Sequence, residues 1–154
     1  MTMMATQRQG AGRSDGVATG VRPVGRAAPV PRMAYDLMAD AGRALGRAIR
    51  ASEPSSRFAA AHLAALRGAA AVLAARARPR RSARGSAWDL LPRVAPELAE
   101  WAAFFAAGSA KRQAAEAGIS AGVGSREADD MVRQAAAFLD LVDRVLDDRG
   151  AAVR

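Results

Sequence analysis

The stretch READDMVRQAAAFLDLVDRVLDD, residues 126–148, decides the fold of this chain. At 3.6 residues per turn, its apolar side chains fall within one arc of roughly 100°, as on a helix that buries one face. These side chains are Ala128, Met131, Ala135, Phe138, Leu139, Val142, Val145 and Leu146. Aspartate and arginine fill the opposite side of the same helix. The stretch therefore predicts an amphipathic helix packed against other helices.

Three more long helices and one short helix are predicted, separated by proline, glycine and serine. The long ones cover residues 33–51, 56–77 and 96–117, and the short one covers 86–91 and ends near Pro92. Alanine supplies much of the 51% hydrophobic share, and alanine is the best helix former. We therefore predict an all-α, up-and-down bundle of four to five helices.

The bundle is predicted to occupy residues 32–149. Residues 1–31 are rich in Gly, Ser, Thr, Pro and Arg without apolar periodicity, which predicts a disordered N-terminal tail. Residues 150–154 form a short C-terminal tail.

The residue types that are missing exclude several classes of site. The chain has no cysteine, which excludes disulfides, thiolate metal sites and cysteine nucleophiles. Its one histidine excludes a metal site built from several histidines of one chain, so we expect neither metal nor cofactor. No apolar run approaches the roughly 18–20 residues that span a bilayer, and the N-terminus lacks the apolar stretch of a signal peptide. We expect a cytoplasmic protein without membrane contact.

Positive charge is concentrated in one connector between predicted helices. The net charge is +8, but 22 of the 23 basic residues are arginine, as expected of a GC-rich genome, so the clustering matters more than the total. Five arginines without any acid lie within nine residues: Arg76, Arg78, Arg80, Arg81 and Arg84. This basic connector is a candidate site for a nucleic-acid backbone or nucleotide phosphates. The alternative is an ordinary solvated loop, because no aromatic residue is interleaved for base stacking.

Two further groups have structural interpretations. Glu127, Asp129 and Asp130 resemble a divalent metal site, but they occupy the first turn of a helix, where acids offset the positive end of the helix dipole. We favour that helix-end role. The aromatic residues form the second group, and we assign them to core or dimer packing. These are Trp88, Trp101, Phe104 and Phe105.

The only histidine, His62, follows Arg57 by five positions in SSRFAAAHLAALRG, residues 55–68. On a helical wheel His62 lies about 40° from Phe58, within the apolar stripe of the helix. Arg57 lies about 140° around the helix from His62, so the two do not face each other. If they act together, a second copy of the helix is the natural way to bring them together, which predicts a homodimer.

Three segments resemble the HEPN domain superfamily, and in particular a small stand-alone HEPN family of GC-rich bacteria. They are SSRFAAAHLAALRGAAAVLAA, SAWDLLPRVAPELAEWAAFFAAGSAKRQAAEAGI and SREADDMVRQAAAFLDLVDRVL, and the resemblance spans about residues 33–148. It implies a four- to five-helix bundle that usually dimerises. Many HEPN proteins are metal-independent endoribonucleases of toxin–antitoxin or other defence systems.

The resemblance also implies roles for Arg57 and His62, which match the shortest spacing of the Arg-x4–6-His motif of this superfamily. His62 would act as general acid or base and Arg57 would stabilise charge on the phosphorane. Phe58 departs from the polar residue that often follows the arginine. The motif also opens the second helix, as in HEPN domains that accompany nucleotidyltransferases without cutting RNA.

Three functions therefore stay open at this point. The first is a ribonuclease or RNA-binding protein, which would have an antitoxin partner in a toxin–antitoxin system. The second is a non-catalytic module that binds a nucleotide or a protein partner such as a nucleotidyltransferase. The third is a structural helical dimer in which His62 is buried.

Overall fold

The computed structural model describes residues 29–77, 84–119 and 122–152, and within these ranges all regular structure is helical. The α-helices are α1 (Arg32–Arg50), α2 (Pro54–Arg76), α3 (Ala87–Val94), α4 (Ala99–Glu116) and α5 (Ser125–Ala151). A 3-10 turn, Pro96–Leu98, precedes α4. The predicted all-α helical bundle is confirmed. The predicted tail, residues 1–31, lies almost entirely outside the described residues.

The predicted boundaries of the long helices agree with the structure to within two residues except at the start of α4 and the end of α5. Helix α5 continues to Ala151, three residues beyond the predicted end, so the first two residues of the predicted C-terminal tail are helical. The predicted helix 96–117 begins as the 3-10 turn and becomes α-helical at Ala99. The short helix α3 extends to Val94, beyond the predicted end near Pro92. Proline removes only one backbone donor, and the next turn still closes because the Ala95 N–H donates to the Leu91 carbonyl at 2.9 Å.

Helix α2 is the central element of the bundle and packs against α1, α3, α4 and α5. Of its 23 residues, eleven are buried and only Ser56 and Arg67 are exposed. Because the helix is apolar on most sides, burial on several faces is the arrangement that removes its surface from water. Its many alanines let the neighbouring helices approach closely.

Helix α2 is also the one helix in the described ranges that is long and apolar enough to cross a membrane by length and composition. The expectation that no apolar run approaches that length was wrong. Alanine is apolar although its side chain is small, so an alanine-rich helix reaches the required mean hydropathy. In the structure 61% of the apolar window is buried inside the bundle. That burial is what the central helix of a bundle requires.

A cluster of aromatic rings fills the space between α3, α4 and α5. The Phe105 ring lies 5.1 Å from Trp88, 5.2 Å from Phe138 and 6.1 Å from Trp101, measured between ring centroids. Trp88 and Phe105 are buried as predicted, and Trp101 packs against the core. Phe104 does not belong to the core of the single chain, since 44% of that residue is exposed. Its alternative assignment to dimer packing stays a prediction. Neighbours on a helix point about 100° apart, so Phe104 and Phe105 cannot both face the cluster.

Candidate catalytic site

His62 lies inside the core of the bundle with 0% of the residue exposed. Its ring stacks on Phe58 with 6.3 Å between centroids. Trp88 and Phe105 meet the ring edge-on at 5.8 and 6.0 Å. The position on the apolar stripe that the helical wheel predicts is confirmed. The aromatic cage leaves no open path from solvent to the imidazole.

The single hydrogen bond of the imidazole goes to the backbone of α4. His62 Nε2 lies 2.6 Å from the carbonyl oxygen of Phe105. A carbonyl oxygen only accepts, so Nε2 carries the proton and donates. The other ring nitrogen, Nδ1, is buried and has no hydrogen-bond partner among the described residues. The histidine thus ties α2 to α4 through one buried bond.

Burial holds the pKa of His62 below its ordinary value of 6.5, because the charged imidazolium loses its hydration in the core. The hydrogen bond to the Phe105 carbonyl partly opposes this shift of the pKa, and the positive charge of Arg112 adds to it. The ring is therefore neutral at neutral pH. A neutral, enclosed imidazole has neither the proton of a general acid nor the access of a general base.

Gly108 of α4 lets that helix close over the imidazole. A Cβ atom added at Gly108 would lie 3.1 Å from Cδ2 of His62 and 3.4 Å from Cζ of Phe58. Sequence reasoning missed this residue. The available signal is a single glycine inside an alanine-rich helix, in Ala106-Ala107-Gly108, because glycine in a helix interior costs about 1 kcal/mol relative to alanine.

Arg57 has a different set of partners, at the junction of α1, α2 and α5. Its Nε and Nη2 atoms donate to the carbonyl oxygen of Ala51 at 3.1 and 2.9 Å, and Nη1 pairs with the carboxylate of Asp129. Only 28% of the side chain is exposed. Arg57 therefore closes the C-terminal end of α1 and fastens it to α5.

Arg57 and His62 are not brought together in this chain. Arg57 binds the end of α1 and the start of α5, whereas His62 binds α4 from the middle of α2. The angular separation predicted by the helical wheel is confirmed. The hydrogen bonds of both residues are structural, and each connects helices that lie far apart in the sequence.

We expect Arg57→Ala to lower the free energy of unfolding by about 1–3 kcal/mol, because a part-buried carbonyl and an ion pair lose a charged donor. Urea denaturation followed by circular dichroism measures the change. The matched control is Arg43→Ala, which removes the exposed ion pair with Asp40 and should cost about 0.5 kcal/mol or less. Equal losses in the two variants would contradict the structural role of Arg57.

The basic connector is only partly contained in the described residues. Arg76 ends α2 and pairs with Glu97. Arg84 is exposed just before the N-cap of α3. Arg78, Arg80 and Arg81 lie outside the described residues. Of the two connector arginines that the structure describes, Arg76 is therefore ion-paired and Arg84 is open to solvent.

The three acids at the start of α5 point to three different bases. Glu127 pairs with Lys111, Asp129 with Arg57 and Asp130 with Arg133. Over residues 29–77, 84–119 and 122–152, no three side chains of the metal-binding types come together. The divergence of the carboxylates agrees with the helix-end interpretation.

The sequence of the chain matches a known family of proteins. Residues 48–143, which are 96 of the 154 in the chain, match the SAV_6107-like HEPN family. The chain is thus a HEPN protein, and it belongs to this family. No curated protein and no solved structure shows significant similarity to it.

Proposed function

We propose that this chain is a HEPN module that binds a phosphate-bearing ligand, RNA or a nucleotide, and does not cut RNA through Arg57 and His62. The burial of His62 is the observation that argues against cleavage, and the clustered arginines of the basic connector are the observation that supports binding. Its imidazole is enclosed by three aromatic rings and bonded to the α4 backbone. A scissile phosphate would have to replace that cage to reach the ring.

The distribution of charge supports a phosphate-bearing ligand. The basic connector places five arginines in nine residues, and Arg84 is exposed in the structure. The last turns of α5 are acidic. Partial desolvation raises the pKa of Asp143, and the neighbouring carboxylates of Asp147 and Asp140 raise it further. An anionic ligand is therefore attracted to the connector and repelled from this part of α5.

We expect the full chain to bind single-stranded RNA in a salt-dependent manner and leave it intact in EDTA. Fluorescence anisotropy with a labelled mixed-sequence RNA, and with a labelled nucleoside triphosphate, tells the two sources of phosphate apart. Replacing the four arginines of residues 78–84 by alanine should reduce the slope of log affinity against log salt by up to about 0.7 for each phosphate contact that is lost.

A matched control removes the same charge from other exposed positions. The control variant replaces four arginines outside the connector by alanine: Arg67, Arg93, Arg133 and Arg144. The connector variant should bind more weakly than this control, since only the connector concentrates its charge. Equal binding by the two variants would overturn the connector as the ligand site.

The Arg-x4-His spacing favours a second candidate function, a metal-independent endoribonuclease of toxin–antitoxin or defence type. This function requires His62 to leave its cage and Arg57 to release the Ala51 carbonyl. The variant His62→Phe keeps an aromatic ring in the cage and removes all proton transfer. Cleavage in EDTA by the wild type that is lost in His62→Phe would replace the binding proposal with the ribonuclease. The cytoplasmic location and the nucleotidyltransferase or antitoxin partner stay predictions of the sequence.

A further inference from the structure

The outer face of α1 carries exposed apolar residues that the rest of the described chain covers only at one end, where the Tyr35 hydroxyl lies near Gly150 of α5. Tyr35 and Ile49 are 51% and 62% exposed. Between them the same face carries Ala39, Gly42 and Gly46, so that the five residues follow one another at intervals of four, three, four and three. This is the spacing of a helix that pairs with another helix in a coiled coil. We call these five residues the outer seam.

The opposite side of α1 already forms part of the core. Ala34, Ala41, Ala44 and Ala48 are buried there, which accounts for the contacts of α1 with α2 and α5. A helix needs one apolar face to join a bundle. The fold of a single chain therefore does not require the second apolar face of α1.

The outer seam has a shape that admits another helix. Gly42 and Gly46 lie in the floor of a shallow groove with three arginines along it: Arg43, Arg47 and Arg50. A Cβ atom added at Gly42 would meet nothing within 4 Å, and one at Gly46 would meet only the guanidinium of Arg50. Small residues in the middle of a seam let two helix backbones approach closely.

We propose that the outer seam of α1 pairs with the outer seam of a second copy of this chain, antiparallel and about a twofold axis between Gly42 and Gly46. This arrangement sets the small residues of the two helices against each other. It also brings Ala39 of each chain against Ile49 of the other copy. Each copy thereby buries its Ile49 against the other, as an isologous contact requires.

The charges beside the outer seam select the antiparallel arrangement. Asp36 and Arg50 lie on the same flank, 14 residues or about 21 Å apart, and neither has an ion-pair partner among the described residues. Antiparallel pairing places Asp36 of each chain within reach of Arg50 of the other, which forms two equivalent ion pairs. In a parallel pair, this flank would face the side of the other copy's α1 on which Met38 and Leu45 lie. No ion pair would form there.

A nucleic acid fits this surface less well than a second copy does. Arg43 is already paired with Asp40, and Asp36 adds another negative charge to the same face. A phosphate backbone would also leave Ile49 without an apolar partner. The helix of a second copy covers Ile49 and pairs Asp36 with Arg50. Arg43 lies on the same flank and meets its own copy near the twofold axis, where the adjacent Asp40 offsets the repulsion.

This dimer differs from the one that the sequence predicts. The Arg57–His62 hypothesis needs α2 to meet its own copy, but α2 exposes only Ser56 and Arg67. The match to the HEPN family begins at residue 48, so most of the outer seam precedes it. The contact through α1 therefore uses a surface outside the matched region for nearly its whole length.

Sedimentation equilibrium of the full chain at micromolar concentrations tests the proposal. The wild type should form dimers, and Gly42→Glu should raise the dimer dissociation constant by at least about tenfold, a factor equivalent to 1.4 kcal/mol. The new side chain enters open space in the single chain, and replacing a helical glycine favours the helix. Gly42→Glu should therefore fold at least as stably as the wild type. The matched control is Ala137→Glu, on an exposed position of α5.

Charge reversal tests the antiparallel arrangement. Asp36→Arg should weaken the dimer, and the double variant Asp36→Arg, Arg50→Asp should restore it. A monomeric wild type, or a dimer that Gly42→Glu leaves unchanged, would overturn the proposal. So would an RNA affinity that falls in Gly42→Glu while the chain stays monomeric, because this result assigns the face to a nucleic acid. A dimer weakened by Asp36→Arg but not restored in the double variant would overturn the antiparallel pairing.

Discussion

Phe105→Ala is expected to lower the free energy of unfolding by about 3–5 kcal/mol, the usual cost of removing a buried phenylalanine. Phe105 is fully buried and touches the rings of Trp88, Trp101 and Phe138. Few large side chains are available to refill the space, since aromatic residues make up only 5% of the chain. Chemical denaturation monitored by tryptophan fluorescence and circular dichroism measures the loss.

The adjacent residue provides a control of the same type on the same helix. Phe104 is 44% exposed and touches Phe105 from the side. Phe104→Ala should cost less, about 1–2 kcal/mol, since only just over half of its area lies away from water. If Phe104→Ala were as destabilising as Phe105→Ala, the orientation of α4 against the core would have to be different.

Mild acid is expected to destabilise the wild type through His62. The folded-state pKa of His62 lies below 6.5, its ordinary value, because of burial. The unfolded chain therefore binds the proton first as the pH falls, and the stability decreases from about pH 6.5 down to the folded-state pKa. Well above pH 6.5 both states are neutral at this residue and its contribution does not vary.

The variant His62→Phe isolates this effect because it keeps a ring in the cage without a titratable nitrogen. The difference in unfolding free energy between the wild type and His62→Phe should shift in favour of the variant as the pH is lowered from 7 toward 5, the range in which histidine titrates. Asp143, whose pKa is raised by partial desolvation and by neighbouring acids, titrates in both proteins and cancels in the difference. A difference that stays constant over this range would contradict the burial of a neutral His62.

The sequence predicts most of the fold because its helices have distinct patterns. The apolar arc of 126–148 predicts the buried face of α5, and seven of its eight residues are buried. The helical wheel also predicts that His62 faces the core and that Arg57 faces away from it. These are local properties, which the 3.6-residue period determines without knowledge of the partner helices.

The partners of the candidate residues could not be predicted, because they come from distant parts of the chain. The carbonyl that binds His62 is 43 residues away, and the carboxylate that binds Arg57 is 72 residues away. Any helix offers many carbonyls, and only the packing of α4 on α2 selects that of Phe105. The choice between Phe104 and Phe105 as the core residue depends on the rotation of α4, which sequence periodicity in an alanine-rich helix defines poorly.

A pH titration of the His62 ring by NMR tests the central claim most directly. His62 is the only histidine in the chain, so its ring resonances need no further assignment. We predict a pKa below 6.5, a proton on Nε2, and slow exchange of that proton with water in the folded protein. A pKa at or above 6.5 with rapid exchange of the ring proton would place His62 in contact with solvent and contradict the structural role proposed for it.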